Sequence, residues 1–156
     1  MKVEESIYIQ APLPVVWAVF SCFEDWENWN TVCSNCCFLD DSSNRLRGTG
    51  NVLTEGVCLS FVIRPIIFPV RIRPKVVRCT PGSEIVWEGS RFGIRAEHAF
   101  VFHEKDQGVL LVSIETFRGP VAVLCRLFFV LNRLHQLTRQ LLSQIKRTAE
   151  DRTGQV

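Results

Sequence analysis

The hydrophobic and polar positions divide the chain into three parts with different periodicity. In the first part, residues 2–10 alternate between polar and apolar toward their end, which predicts a strand. Pro12 and Pro14 follow and can open a helix, because a proline in the first helical turn loses no hydrogen bond. The apolar residues of 15–20 supply the face of that helix, and residues 25–29 add a further helical turn. The chain therefore begins with a strand and two short helices.

The second part, from about residue 33 to 118, consists of short runs rich in Val, Ile, Phe and Leu that are separated by turn signals. Neighbouring strands that are joined by short turns pair antiparallel. The pattern predicts seven antiparallel strands, namely the first one and Cys33–Asp40, Asn51–Ile63, Val70–Cys79, Glu84–Arg91, Arg95–Glu104 and Val109–Phe117.

The third part predicts one long helix. After Gly119-Pro120, apolar residues recur at three-and-four spacing from Val121 to Ala149. Residues 121–131 are apolar nearly all round, which indicates that this half is covered on more than one side or faces an apolar cavity, whereas 132–152 carry charges on one face. We expect a single domain over residues 1–152 and a short tail at 153–156.

The amino-acid composition and the net charge argue against several classes of function. The chain has 156 residues, 18 Lys+Arg and 16 Asp+Glu, and 47% of its residues are hydrophobic, which is typical of a compact domain. A net charge of +2 without a basic run argues against nucleic-acid binding. Arg64 and Arg126 interrupt the most apolar stretches before the ~20 residues that a transmembrane helix needs. The acidic start does not resemble a signal peptide, so we expect a cytoplasmic protein.

The cysteines and the absence of other motifs predict neither a metal nor a cofactor. Seven cysteines without a secretion signal fit a reducing compartment. Cys33 and Cys36 have the spacing of half a zinc site, but no second pair follows, and Cys33, Cys36 and Cys37 are interpreted as semi-buried thiols. No Gly-rich phosphate loop or serine elbow indicates another enzyme class.

Several local motifs resemble those of one superfamily. They are Ala11-Pro12 with Val16-Trp17 after the first strand, Phe23-x-x-Trp26-x-x-Trp29-Asn30, Trp87-x-Gly89, Glu97-His98-x-Phe100-x-Phe102, and Glu115-Thr116-Phe117 before Gly119-Pro120. In this order and spacing the chain resembles the SRPBCC superfamily, which includes START and birch-pollen-allergen relatives, and specifically its polyketide cyclase/dehydrase-like branch. The resemblance implies an α+β helix-grip fold, with a curved seven-stranded sheet around the C-terminal helix and a cavity for an apolar molecule. It does not imply one reaction.

Strand parity and turn length predict which residues face that cavity. On strand 95–104 the even positions form an apolar row that should face inward. A two-residue turn at Asp106-Gln107 would place His98 opposite Glu115, whereas a three-residue turn would bring Thr116 to His98. We favour the first register, partly because the family resemblance brings the His and the Glu together.

His98 and Glu115 are the candidate catalytic residues. A carboxylate beside the imidazole would orient it and raise its pKa, as a general base requires. The same pair can instead satisfy two polar groups of the wall or anchor a ligand's hydroxyl or carbonyl group, and ligand anchoring is the interpretation we favour. The residues expected to contact the ligand are Leu59, Phe61, Trp87, His98, Phe100, Phe102, Leu111, Ser113, Glu115, Phe117, Leu124 and Phe128.

Two surface features remain. The apolar connection 64–69 could gate the cavity, contact a membrane transiently during ligand transfer, form a dimer contact, or fold into the cavity mouth. The cations Arg71, Arg73, Lys75 and Arg78 are interpreted as a solvated sheet face, with an acidic partner or a head group as the alternative.

Three functions are compatible with the sequence. The favoured one is binding of a hydrophobic or amphipathic molecule such as a lipid or a polyketide. The second is a polyketide cyclase or dehydratase in which His98 is the base and Glu115 orients it. The third is a protein-interaction module with a vestigial cavity. We expect a monomer or a weak homodimer.

Overall fold

The computed structural model describes residues 1–40, 42–46, 52–65, 67–91, 93–120 and 130–154. Its elements follow the predicted order of a strand, two short helices, a run of strands and a C-terminal helix. The strands are β1 (Lys2–Ile9), β2 (Ser34–Leu39), β3 (Cys58–Ile63), β4 (Val70–Ile72), β5 (Lys75–Thr80), β6 (Glu84–Arg91), β7 (Ile94–Lys105) and β8 (Gly108–Arg118). The helices are α1 (Leu13–Ser21), a 3₁₀ turn (Phe23–Asp25), α2 (Trp26–Trp29) and α3 (Val130–Thr153).

The strands form one curled antiparallel sheet. Along the sheet the order is β1-β8-β7-β6-β5-β3-β2, and the short β4 pairs with β3 beside this path. The seven strands of the main path and the long C-terminal helix confirm the predicted helix-grip α+β fold.

Two predicted strands are shorter than expected. The prediction for Val70–Cys79 is wrong in the middle, because Arg73-Pro74 separates β4 from β5. Pro74 has no N–H to donate to a ladder, and only its carbonyl pairs, with the N–H of Leu59 at 2.8 Å. The strand predicted over Asn51–Ile63 begins only at Cys58, since Gly56 turns the chain at a φ of 90°.

The β7–β8 hairpin has the favoured register. Lys105 pairs with Gly108 across a two-residue turn, and the pairing continues to His98 opposite Glu115. Asp106 has a φ of 54°, as the first residue of such a tight hairpin turn requires. Gly108 is required by close packing, because a Cβ there would lie 2.4 Å from the carbonyl oxygen of Ile9. This register positions the candidate site.

A closed aromatic core fills one end of the space between the sheet and the helices. Phe20 of α1 lies at its centre and is fully buried. Its ring centroid lies 4.8 Å from that of Phe100, 5.2 Å from that of Phe102 and 5.3 Å from that of Trp26. Aromatic pairs at these separations add to the free energy of burial.

Polar contacts at both edges hold α3 over the sheet. Glu5 of β1 accepts from Arg139 at 2.9 Å and contacts Nδ1 of His135 at 2.6 Å. On the other side, Gln140 and Gln144 each donate to the hydroxyl of Thr31 at 2.8 Å. Residues 121–129 of the predicted long helix lie outside the described residues. No helix in the described part of the chain is long and apolar enough to cross a membrane.

Candidate functional site

A cavity of about 820 Å³ lies between the sheet and α3, next to the aromatic core. Its wall is mostly apolar. Leu134, Leu137 and Leu141 project into it from α3. The sheet contributes Phe61, Ile63, Ile72, Trp87, Ile94, Ala96, Phe100 and Phe117.

Two titratable groups of the cavity wall, His98 and Glu115, lie on neighbouring strands. Nε2 of His98 lies 2.7 Å from Oγ of the buried Ser113, so this ring nitrogen is satisfied in either tautomer. Nδ1 of His98 is 3.8 Å from Oε1 of Glu115, which is too long for a hydrogen bond. The side chains of His98 and Glu115 keep 13% and 19% of their accessible area, and both line the cavity.

Burial makes both groups uncharged at neutral pH. Desolvation lowers the pKa of His98 to about 3 and raises the pKa of Glu115 to about 8. The expectation that Glu115 would raise the pKa of His98 is therefore wrong. A charged pair would need a close contact to offset the loss of hydration, and these side chains do not make one.

The pair can recognise an uncharged oxygen-bearing group. The protonated carboxyl of Glu115 has one O–H to donate, and no residue in the described ranges forms a side-chain hydrogen bond with it. Nδ1 of neutral His98 accepts or donates according to the tautomer. Together they offer hydrogen bonds to a ligand hydroxyl or carbonyl group surrounded by apolar wall.

The structure separates the predicted ligand-contacting residues into groups. Phe61, Trp87, His98, Phe100, Glu115 and Phe117 line the cavity, and Ser113 lies behind His98 as its partner. Leu59, Phe102 and Leu111 also face inward, but they are buried in the closed core and are not among the described residues that line the cavity. Leu124 and Phe128 lie outside the described residues.

The sequence prediction missed other wall residues. Leu134, Thr138 and Leu141 belong to the three-and-four stripe of the C-terminal helix, which is the sequence signal for them, although residues 121–131 are more apolar. Arg71 and Arg73 were expected on a solvated sheet face, and Arg91 was not singled out. All three border the cavity: Arg71 and Arg73 lie on β4 and at the break beside Pro74, and Arg91 lies at the end of β6. Lys75 and Arg78 are exposed on β5 and do not border it.

The cysteines near the site are free thiols. Burial raises the pKa of Cys33 well above its usual value and raises that of Cys36 to about 12. Both thiols are therefore protonated at neutral pH. Cys33 borders the cavity, where it adds to the apolar wall.

The connection 64–69 lies beside the cavity with an exposed apolar tip. Pro65 and Val70 line the cavity, while Ile67 is 78% exposed and Phe68 is 77% exposed. Ile67 and Phe68 therefore do not fold into the mouth, which was one of the alternatives. Residue 66 lies outside the described part.

Several solved structures are similar to this chain in fold. TTHA0849 from Thermus thermophilus is 15% identical, with a TM-score of 0.76 over 98% of this chain and 99% of that one. The di-domain ARO/CYC StfQ from the steffimycin biosynthetic pathway is 14% identical, with a TM-score of 0.74 over 98% of this chain and 52% of that one. A START superfamily protein from Mycobacterium smegmatis is 13% identical, with a TM-score of 0.65 over 99% and 97% of the two chains. At these identities the similarity shows the fold alone.

The sequence itself matches one family model. No curated protein matches the chain. The model described as polyketide cyclase / dehydrase and lipid transport matches residues 1–150. The chain therefore belongs to this polyketide cyclase/dehydrase and lipid transport family, within the SRPBCC superfamily.

Proposed function

We propose that this protein binds a hydrophobic or amphipathic small molecule in the cavity between the sheet and α3. The observation that carries the proposal is the cavity itself, whose volume of about 820 Å³ is in the range of small-molecule sites. Its mostly apolar wall supplies the burial, and the uncharged His98 and Glu115 supply direction by hydrogen bonding. A volume of this size also argues against an interaction module with a vestigial cavity.

The experiment compares two phenylalanine substitutions on opposite faces of β7. The probe is N-phenyl-1-naphthylamine, an uncharged fluorophore that brightens in an apolar environment. Ala96→Phe adds a ring at a position that lines the cavity, whereas Ala99→Phe adds the same ring on the other face of the strand. We expect the wild type and Ala99→Phe to bind the probe and Ala96→Phe to bind it at least about tenfold more weakly.

Two outcomes would overturn the proposal. One is a wild-type protein that does not bind the fluorophore, and the other is an Ala96→Phe variant that binds it as tightly as the wild type. Mass spectrometry of the organic extract of natively purified protein then identifies any co-purified compound, with His98→Ala and Glu115→Ala variants beside it to test the anchoring role.

The second candidate is a cyclase or dehydratase. One observation favours it, namely that Glu115 is protonated at neutral pH and borders the cavity, as a general acid for a leaving hydroxyl group would need to be. His98 is the weaker candidate for a base, because burial lowers its pKa to about 3. With a test substrate, Glu115→Gln would abolish turnover while binding remained, whereas a binding protein would show no turnover in either form.

The exposed tip of the connection 64–69 supports a second proposal, which concerns how the ligand enters and leaves the cavity. Ile67 and Phe68 lie in the sequence between Pro65 and Val70, which line the cavity, and Arg64 and Arg71 flank this segment. Apolar side chains among cations suit the surface of an anionic bilayer. We therefore propose that residues 64–69 contact the membrane transiently while ligand enters or leaves.

Vesicle sedimentation tests the membrane contact. We expect the wild type to sediment with vesicles of phosphatidylcholine and phosphatidylglycerol, and the Ile67→Ser, Phe68→Ser double variant to remain in the supernatant. Equal sedimentation of both proteins would refute the contact. A double variant that sediments like the wild type but changes the oligomeric state would instead identify the loop as a dimer contact. For the wild type we expect a monomer or a weak homodimer.

We propose the cytoplasm as the compartment. The six cysteines in the described part of the chain are free thiols, which suits reducing conditions. Localisation of a tagged full chain tests this proposal, and recovery from an oxidising compartment would contradict it.

A further inference from the structure

Arginines border one end of the cavity, away from the uncharged pair. Arg71 and Arg73 lie at β4 and the break that follows it, and Arg91 ends β6. Arg91 donates to the carbonyl oxygen of Arg71, which joins β6 to β4 at this point. These three residues, Arg71, Arg73 and Arg91, are called the arginine rim.

The rim and the uncharged pair lie at different depths. Trp87 of β6 pairs with His98, and four residues further along the same strand Arg91 pairs with Ile94. Four residues of strand span ~13 Å, since each residue rises about 3.3 Å. Arg91 is exposed and His98 is not, so the rim is at the mouth and the pair is inside.

The charge along the wall is unbalanced. Glu115 is the acidic residue among the described residues that line the cavity, and it is uncharged at neutral pH. Neither Arg71 nor Arg73 forms an ion pair with a carboxylate in the described ranges, whereas Arg78 and Arg95 outside the cavity pair with Glu84 and Glu88. At the mouth, Arg71 and Arg73 therefore present positive charge that no acidic residue of the described wall neutralises.

We propose that the ligand is an amphiphile with an anionic group, a carboxylate or a phosphate monoester, and that the arginine rim binds this group at the mouth. The apolar part lies against the leucines of α3 and the aromatic wall, and any uncharged oxygen near its far end meets His98 and Glu115. Arginine suits this role because its guanidinium group donates in a planar fork to carboxylate or phosphate oxygens. This inference rests on the proposed function and specifies the class of ligand.

The test uses three amphiphiles with the same chain and different head groups. Dodecanoate, dodecyl phosphate and 1-dodecanol are titrated at pH 7.5, below their aggregation limits, against protein that holds N-phenyl-1-naphthylamine. We expect one of the two anions, or both, to displace the fluorophore at a concentration roughly tenfold or more below that of the alcohol. Which anion is more effective separates a carboxylate ligand from a phosphate ligand.

Matched arginine variants locate the effect. In Arg71→Gln, Arg73→Gln the preference for the anion should fall to about threefold or less, since two charge-assisted contacts are lost. Arg78→Gln, which removes a nearby exposed arginine that does not border the cavity, should keep the wild-type preference. Raising KCl from 0.05 to 1 M should weaken displacement by the anion and leave displacement by the alcohol unchanged.

The outcomes separate this inference from the proposed function. If the wild-type protein does not bind the fluorophore, the proposed function fails and the inference fails with it. If the fluorophore binds and the three amphiphiles displace it equally or not at all, the inference alone is overturned, and this result does not depend on whether a variant folds. A preference that survives in Arg71→Gln, Arg73→Gln would overturn the role of the rim.

Discussion

The same two strands build a closed core at one end and a cavity wall at the other. Near the hairpin turn, the inward positions Phe102 and Leu111 are buried among packed side chains. Further along, His98 and Glu115 occupy the same inward rows and face open space. The difference comes from the opposite side, because Phe20 of α1 fills the first region and the leucines of α3 leave the second unfilled. The geometry of β7 and β8 therefore does not by itself determine whether an inward-facing residue is buried in the core or lines the cavity.

The largest expected effect is on stability at the closed end. Ile85→Ala removes a fully buried side chain of the core and should lower the free energy of unfolding by about 2–5 kcal/mol, because it leaves a void among packed neighbours. Ile94→Ala makes the same change at a half-buried position that already faces open space, and should cost about 1 kcal/mol. Urea unfolding measures both, and equal losses would contradict the distinction between the two regions.

A second effect is a pH dependence specific to the cavity end. Burial raises the pKa of Glu115 from 4.5 to about 8, so between these values the folded protein keeps a proton that the unfolded chain releases. The contribution of this proton to the free energy of unfolding is fully present below pH 4.5 and decreases as the pH rises toward 8. From pH 6 to pH 8.5 we expect a loss of about 2 kcal/mol, which Glu115→Gln should abolish.

His98 has the opposite dependence. Burial lowers its pKa from 6.5 to about 3, so the unfolded chain binds a proton in this interval and stability is lost as the pH falls.

The control for the Glu115→Gln prediction is Glu104→Gln. It removes an exposed carboxyl on β7 and should leave the loss of stability between pH 6 and pH 8.5 in place. Persistence of the alkaline loss in Glu115→Gln would show that another group causes it.

The smallest effect concerns the polar contacts that hold α3 from outside the cavity. Hydrogen bonds from Arg139 and then His135 lower the pKa of Glu5 although desolvation opposes them. Ionised Glu5 therefore contributes to stability at neutral pH, and this contribution is lost as the pH falls below the usual pKa of a glutamate. Glu5→Gln should cost about 1 kcal/mol at pH 7 and less at pH 3, since Arg139 is well exposed. Glu4→Gln on the same strand, where both partners of the ion pair with Lys2 are exposed, should change stability by less than about 0.5 kcal/mol.

Much of the site could be predicted because it depends on local rules. Side chains alternate along a strand, and the turn length sets the pairing of the strands that it joins. Residues 95–117 therefore limited the partner of His98 to Glu115 or Thr116, and the structure has Glu115. The rest depended on residues far apart in the sequence. Leu59 and Phe61 point to the same side of β3, and only the packing from other elements makes Leu59 core and Phe61 cavity wall.

By itself the sequence determined the order of the elements and the inward row of β7, because periodicity acts over a few residues. Turn length left two hairpin registers, of which the family resemblance favoured one. Only the tertiary structure decided the charge states of the inner pair and the position of the arginines. The pKa of a buried group depends on how much water all its neighbours exclude, and Arg71 and Arg73 reach the cavity mouth because Pro74 breaks a strand that the hydrophobic pattern alone predicts as continuous.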